Sequence, residues 1–165
     1  MRRYTGTSDG IAKGKREGTE EFVRQIERAT DLALWNNGTF GVRKMRGKDD
    51  LSVHATARAC DISYRNMADK RGKPRGRRYA LHVMDWLVAN ADEIGLELII
   101  DYAEPKFGRA WKCTRNAWKK YETKTVTGGG SLRSDWIHVE LSPAIADDAA
   151  RVRAVFGAKP LVCEF

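Results

Sequence analysis

Two short stretches hold residues whose types and spacing could do metal chemistry. In the first, Ser52 to Asp61 (SVHATARACD), His54 precedes Asp61 by seven positions. In the second, Ser134 to Leu141 (SDWIHVEL), Asp135 stands three positions before His138. Two histidines and a carboxylate are the three-ligand N and O set of a catalytic zinc, whose fourth position is kept for water. Asp135 is then free to act on that water as a general base. Such a site requires a scaffold that brings two distant stretches together.

The chain of 165 residues is long enough for one domain with a sizeable core. With 42% hydrophobic and 32% charged residues it falls among globular rather than disordered chains. A net charge of +8 predicts attraction to anionic partners, and charge alone fits nucleic acid and acidic cell-wall polymers equally well. The densest basic run, Lys70 to Arg78, reads as a solvated loop. The N-terminal MRRYTGTSDG has basic residues but no apolar stretch behind them, and no membrane span follows, so the expectation is a protein made in the cytoplasm without a signal peptide. Three widely spaced cysteines, Cys60, Cys113 and Cys163, make no disulfide framework and fit reduced thiols.

The positioning elements follow from periodicity. Residues 1–17 are polar and read as an extended or partly disordered surface segment, ahead of a single domain over residues 18–165. Thr19, Glu20 and Glu21 open a helix whose apolar face is Phe22, Ile26, Ala29 and Ala33, ended by Asn36-Asn37-Gly38. Thr39 to Met45 suits a short strand. From Ala57 to Ile62 small residues alternate with Arg58 and Cys60, which puts Asp61 on the alanine face of a strand. Residues 66–77 read as a basic loop. Arg78 to Ile94 carries the stripe Tyr79, Val83, Trp86, Leu87, Asn90 and Ile94 of a helix capped by Gly95. Leu96 to Tyr102 is a short buried strand, residues 103–133 are irregular with a flexible Gly128-Gly129-Gly130, and Trp136 to Leu141 alternates as a strand. Ser142 and Pro143 start a helix running to Phe156 and stopping at Gly157, with the tail adding an edge strand. The class is α+β.

Ser52-x-His54-x-x-Ala57-x-Ala59-x-Asp61 resembles the Ser-x-His-x-x-Gly-x-Ala-x-Asp motif of zinc peptidases of the D-Ala-D-Ala carboxypeptidase type, within the wider lysostaphin, DD-peptidase and hedgehog-like group. Ala57 departs from it where glycine is usual, a change with a cost if the site needs a positive φ. Asp135-x-x-His138 is similar to the second motif of those enzymes, and no role is carried over to Trp136. The run from Leu98 through Trp111, Trp118 and Tyr121 to Trp136 resembles the endolysins of actinobacterial phages, over roughly residues 35–142. The resemblance implies a small antiparallel sheet with packed helices and a Zn2+ ion in a groove across it. It implies His54, Asp61 and His138 as ligands, Asp135 as base and Ser52 as support for the motif. It also implies an upstream arginine that steadies the oxyanion or a substrate carboxylate, with Arg46 the best match and Arg43 the second.

The function so implied is a peptidoglycan peptidase, acting on the wall of the host cell after release at lysis, with anionic wall polymers as partners and neither membrane nor nucleic acid expected. Two other readings stay open: a basic phage nucleic-acid-binding protein or nuclease, and a non-catalytic metal-bound module of the same fold. Trp111, Trp118 and Tyr121 are either core residues or line a substrate groove. His82 and Cys60 read as structural, and Glu140 as a partner of His138 or a surface ion pair.

Overall fold

The computed structural model describes residues 1–45, 48–64, 76–103, 107–123 and 135–163. Six strands form one sheet in the order β1-β2-β6-β3-β4-β5: β1 Trp35–Gly38, β2 Ala59–Ser63, β3 Leu96–Asp101, β4 Arg109–Lys112, β5 Ala117–Lys120 and β6 Trp136–Leu141. Every neighbouring pair is antiparallel. The helices are α1 Glu17–Ala29, α2 Gly76–Ala89, α3 Pro143–Ala146 and α4 Ala149–Ala158. The class is therefore α+β, with helices beside an antiparallel sheet. Among the described residues no helix is long and apolar enough to cross a membrane.

Register divides the sheet into two chemically different faces. Cys60, Val139, Ile99, Trp111 and Trp118 stand opposite one another across β2, β6, β3, β4 and β5, so their side chains share a face. Four of them join the hydrophobic core with Phe22 and Ile26 of α1, Val83 and Leu87 of α2 and Phe156 of α4, and Trp118 packs against its edge. The other face carries Asp61, His138, Ile100 and Ala110 in one row and Ala59, Glu140, Leu98 and Lys112 in the next. Helices thus bury one side, and Asp61, His138 and Glu140 collect on the other.

Several boundaries differ from the sequence reading. Helix α1 stops at Ala29, because the Thr30 hydroxyl bonds the Ile26 carbonyl at 2.8 Å and Asp31 and Leu32 follow with φ of 47° and 58°. Asn36 and Gly38 accordingly sit in strand β1 rather than at a helix end. The stretch read as irregular contains the β4–β5 hairpin. The last helix is broken in two at Asp147 and Asp148, where the Asp148 carboxylate accepts from Arg151 N–H at 2.8 Å, and Gly157 lies within α4. No strand forms over residues 159–163, though Leu161 is buried. Most of the basic run at 70–78 and the triple glycine lie outside the described residues.

The first 16 residues are held, not loose. Arg2 bonds Asp92 and the Ala91 carbonyl, Thr5 N–H donates to Glu97 at 3.1 Å, and Ala12 N–H donates to the Ala55 carbonyl at 2.9 Å. Buried Arg58 ties the segment to the sheet, through Asp9 at 2.9 Å and the Gly6 carbonyl on one side and Glu97 at 3.3 Å on the other. A polar sequence without periodicity gives no sign of this, since the buried guanidinium that captures it lies about fifty residues away.

Candidate metal centre

His54 is delivered by one turn of 3-10 helix, Val53–Thr56. The Ser52 side chain caps that turn by accepting from His54 N–H at 3.4 Å. Ala57 closes it in the left-handed conformation, φ 56° and ψ 27°. The position does need a positive φ, which is why a glycine would sit there without strain. The Thr19 hydroxyl on α1 donates to the Ala57 carbonyl at 2.8 Å and fixes the turn against the helix. The chain then enters β2, where Asp61 is third, and Asp61 pairs directly with His138 of β6.

These three side chains converge. His138 Nδ1–H donates to Asp61 Oδ1 at 2.9 Å, His54 Nε2 lies 3.3 Å from Asp61 Oδ2, and the imidazole centroids are 5.0 Å apart. One donor atom from each lies within 4.8 Å of the others, so the group could hold a metal ion. Donors about 2.0–2.2 Å from a tetrahedral zinc lie about 3.4 Å from one another, close to the His54–Asp61 separation. His54 Nε2 is moreover a buried nitrogen with no hydrogen-bond partner among the described residues, a condition a cation at the centre would relieve.

Electrostatics favour the same use. Burial lowers the His54 pKa, against the pull of Asp61, and holds the ring neutral as a ligand must be. Burial also raises the Asp61 carboxyl, but its hydrogen bond to His138 and its close approach to His54 outweigh this and pull it far below the usual range. His138 lies between two carboxylates, since its Nε2–H donates to Glu140 Oε1 at 3.0 Å. Burial disfavours its charge, yet the bonds to Asp61 and Glu140 prevail and push it up to about 10. A cation entering between Asp61 and His138 would take the place of that proton.

The remaining residues singled out from the sequence divide. Arg43 reaches Asp61 Oδ2 at 3.7 Å with its side chain 60% exposed, so a cationic group stands at the rim, whereas Arg46 lies outside the described residues. Tyr121 follows β5, with its N–H on the Gly108 carbonyl at 3.0 Å, and alternation puts it on the cluster's face. Burial raises its hydroxyl pKa, with Arg115 opposing and Glu140 adding. Trp118 does not stand beside the cluster: it pairs with Trp111 on the helix face, and Arg109 lies 4.4 Å over its ring. Trp111 itself is core.

Asp135 is not part of the converging group. It precedes β6 by one residue and its carbonyl accepts from Tyr64 N–H at 2.8 Å, which extends the β2–β6 pairing through it. By position it shares the parity of Ile137 and not that of His138, and its charge is the smallest of the influences on the Tyr64 hydroxyl, which burial raises.

Three residues escaped the sequence reading in whole or part. Glu140 is buried, which rules out a surface ion pair; two residues after His138 on a strand, it had to share its face. Tyr4 donates from its hydroxyl to Glu140 Oε2 at 2.7 Å, a contact that nothing local announces. Tyr102, 5.4 Å from the Trp136 ring, has its hydroxyl pKa raised by burial and by the nearby Asp61 charge. His82 lies within α2, and Cys60 points into the core.

A family model described as the VldE C-terminal domain matches residues 13–130. The chain belongs to that family. The span shared with VldE C-terminal domains contains Ser52, His54 and Asp61 and ends before His138. Comparison with curated proteins found no match, and comparison with solved structures found none either.

Proposed function

We propose that this chain is a zinc-dependent peptidoglycan peptidase, related to the D-Ala-D-Ala carboxypeptidase type and acting as a phage endolysin. The observation that carries the reading is the buried His54, Asp61 and His138 group, in which one histidine nitrogen makes no hydrogen bond among the described residues. The residues suit zinc by donor type and spacing, and the group sits on the face of the antiparallel sheet turned away from the helices, where the hedgehog-like arrangement would have its groove. Zinc in such a site supplies Lewis acidity to a carbonyl and makes water a nucleophile near neutral pH.

The chain's own residues have three tasks in this reading. His54 Nε2, Asp61 and His138 Nδ1 would hold the ion. Arg43, already within 3.7 Å of Asp61, offers positive charge to the oxyanion that develops on a scissile amide. Asp135 would take the proton of the attacking water. Tyr102, Trp136 and Tyr121 form an aromatic border on the same face, suited to the flat and apolar parts of a stem peptide or sugar.

The test is zinc content of purified wild type, His54→Ala and His138→Ala, beside clearing of purified actinobacterial murein by the same samples. About one zinc per chain is expected, lost together with clearing in both variants. Asp135→Asn should keep zinc and lose clearing. Absence of bound zinc in the wild type after metal is added back would overturn the reading. Clearing retained by Asp135→Asn would remove that residue from the mechanism.

A further inference from the structure

The proposed chemistry leaves one buried carboxylate on the metal face without a task. Glu140 is 4% exposed, and each of its oxygens is engaged: Oε1 by His138 Nε2–H at 3.0 Å, Oε2 by the Tyr4 hydroxyl at 2.7 Å. Tyr4 comes from the far end of the chain, 136 positions away, yet it is firmly placed. Arg2 N–H bonds the Cys113 carbonyl at 3.3 Å, Thr5 bonds Glu97, Arg58 grips the Gly6 carbonyl, and Lys112 Nζ lies 3.5 Å over the Tyr4 ring. The contacts run in one line: Tyr4, Glu140, His138, Asp61, His54.

We infer that Tyr4 and Glu140 are positioning residues of the metal centre: Glu140 holds the His138 ring with Nδ1 turned to Asp61, and Tyr4 holds Glu140. The inference rests on the metal reading above. An imidazole can offer either nitrogen to a metal, and the hydrogen bond made by the other nitrogen decides which. With Nε2–H on a carboxylate, only Nδ1 remains for the ion, and the ring becomes a more basic ligand. A carboxylate can itself rotate. Tyr4 removes that freedom by occupying the second oxygen, and the clamps on either side of Tyr4 keep the hydroxyl in place. The N-terminal segment is thereby part of the metal site and not an appendage to it.

The experiment measures zinc affinity of full-length protein by competition with a chromophoric chelator, for wild type, Tyr4→Phe, Glu140→Ala and the double variant, with Co2+ spectra and thermal melts in parallel. Glu140→Ala should weaken zinc binding by about 10–100-fold. Tyr4→Phe, which keeps the ring beneath Lys112, should weaken it by a smaller factor. The double variant should bind no more weakly than Glu140→Ala alone, because Tyr4 acts only through Glu140. Shifted Co2+ bands in Glu140→Ala would report the reoriented ring, a readout that loss of packing alone would not move. Should Glu140→Ala fail to fold, Glu140→Gln takes its place and the same order of affinities is expected. Wild-type zinc binding with unchanged affinity in the folded Glu140 variant would overturn the inference while leaving the metal centre intact. Unchanged affinity in Tyr4→Phe alone would overturn the role of Tyr4. No zinc binding by wild type would overturn the metal reading itself.

Discussion

Replacing Arg58 by methionine tests how the N-terminal segment is held. The guanidinium is fully buried and donates to Asp9 at 2.9 and 3.1 Å, to Glu97 at 3.3 Å and to the carbonyls of Gly6 and Leu141. Methionine keeps most of the stem and removes only the charged head. Removing one member of a buried ion pair costs about 3–5 kcal/mol, because the other charge stays buried alone. Two compensations apply here. Asp9 keeps Arg16 at 2.7 Å, and Glu97, 1% exposed, keeps the Thr5 N–H and hydroxyl. Against them, the Gly6 and Leu141 carbonyls each lose a donor, at about 1–3 kcal/mol for a buried acceptor left unsatisfied. The two corrections roughly offset, and the expected loss stays near 3–5 kcal/mol.

With a urea m-value of about 2 kcal/mol/M, that loss moves the unfolding midpoint down by about 2 M. Equilibrium urea unfolding followed by tryptophan fluorescence reads the shift. A shift worth less than about 1 kcal/mol would refute the claim that Arg58 anchors the segment through buried charge. Adding Glu97→Gln to Arg58→Met should recover part of the loss, since it removes the stranded carboxylate. A double variant as unstable as the two separate losses added together would show that stranded charge is not the cause.

The strained Ala57 turn gives a second expectation. Ala57→Val places a β-branched residue at φ 56° in a fully buried position and should destabilise by about 2 kcal/mol or more, as read by urea unfolding. Ala57→Gly should stay within about 1 kcal/mol of wild type, because strain relief of about 1–2 is offset by glycine entropy and a lost buried methyl. The Arg16 cluster predicts a pH effect. Its hydrogen bond to Asp147 lowers that carboxyl, and at Asp9 the bonds to Arg58 and Arg16 outweigh burial, so both have folded pKa values below the unfolded one. Their stabilisation is complete above about pH 4 and is lost as pH falls toward the folded values. Asp147→Asn should therefore flatten the acid limb of the stability–pH curve, measured by urea midpoints at several pH values, and leave its slope near neutrality unchanged.

What the sequence disclosed was whatever repeats over a few residues. Strand β6 has the predicted bounds because WIHVEL alternates, and α2 keeps its stripe because Tyr79, Val83 and Leu87 recur at helical spacing. The cluster was also readable, since His54 and Asp61 lie within one short motif and His138 in an alternating strand. Contacts between distant residues were not readable. Nothing near Tyr4 forecasts Glu140, nothing near Asp9 forecasts Arg58, and RAWK and AWKK are too short and basic to announce a hairpin before they pair. Trp118 could not be assigned a side until the register with Trp111 fixed it.

Two acidic residues flank His138, Glu140 within β6 and Asp135 one residue before it, and strand geometry gives them opposite parities. Glu140, at even spacing, shares the face of His138 and reaches its ring. Asp135, at odd spacing and one residue before the strand, has the parity of the opposite face, and its carbonyl pairs with Tyr64 N–H. A base at Asp135 therefore demands a departure from strand geometry within one residue of β6, whereas His54, Asp61 and His138 need none. The metal group and the base are thus separable propositions. A chain that binds zinc but clears murein equally well with Asp135→Asn would retain its metal centre and require another proton acceptor on the face of His138.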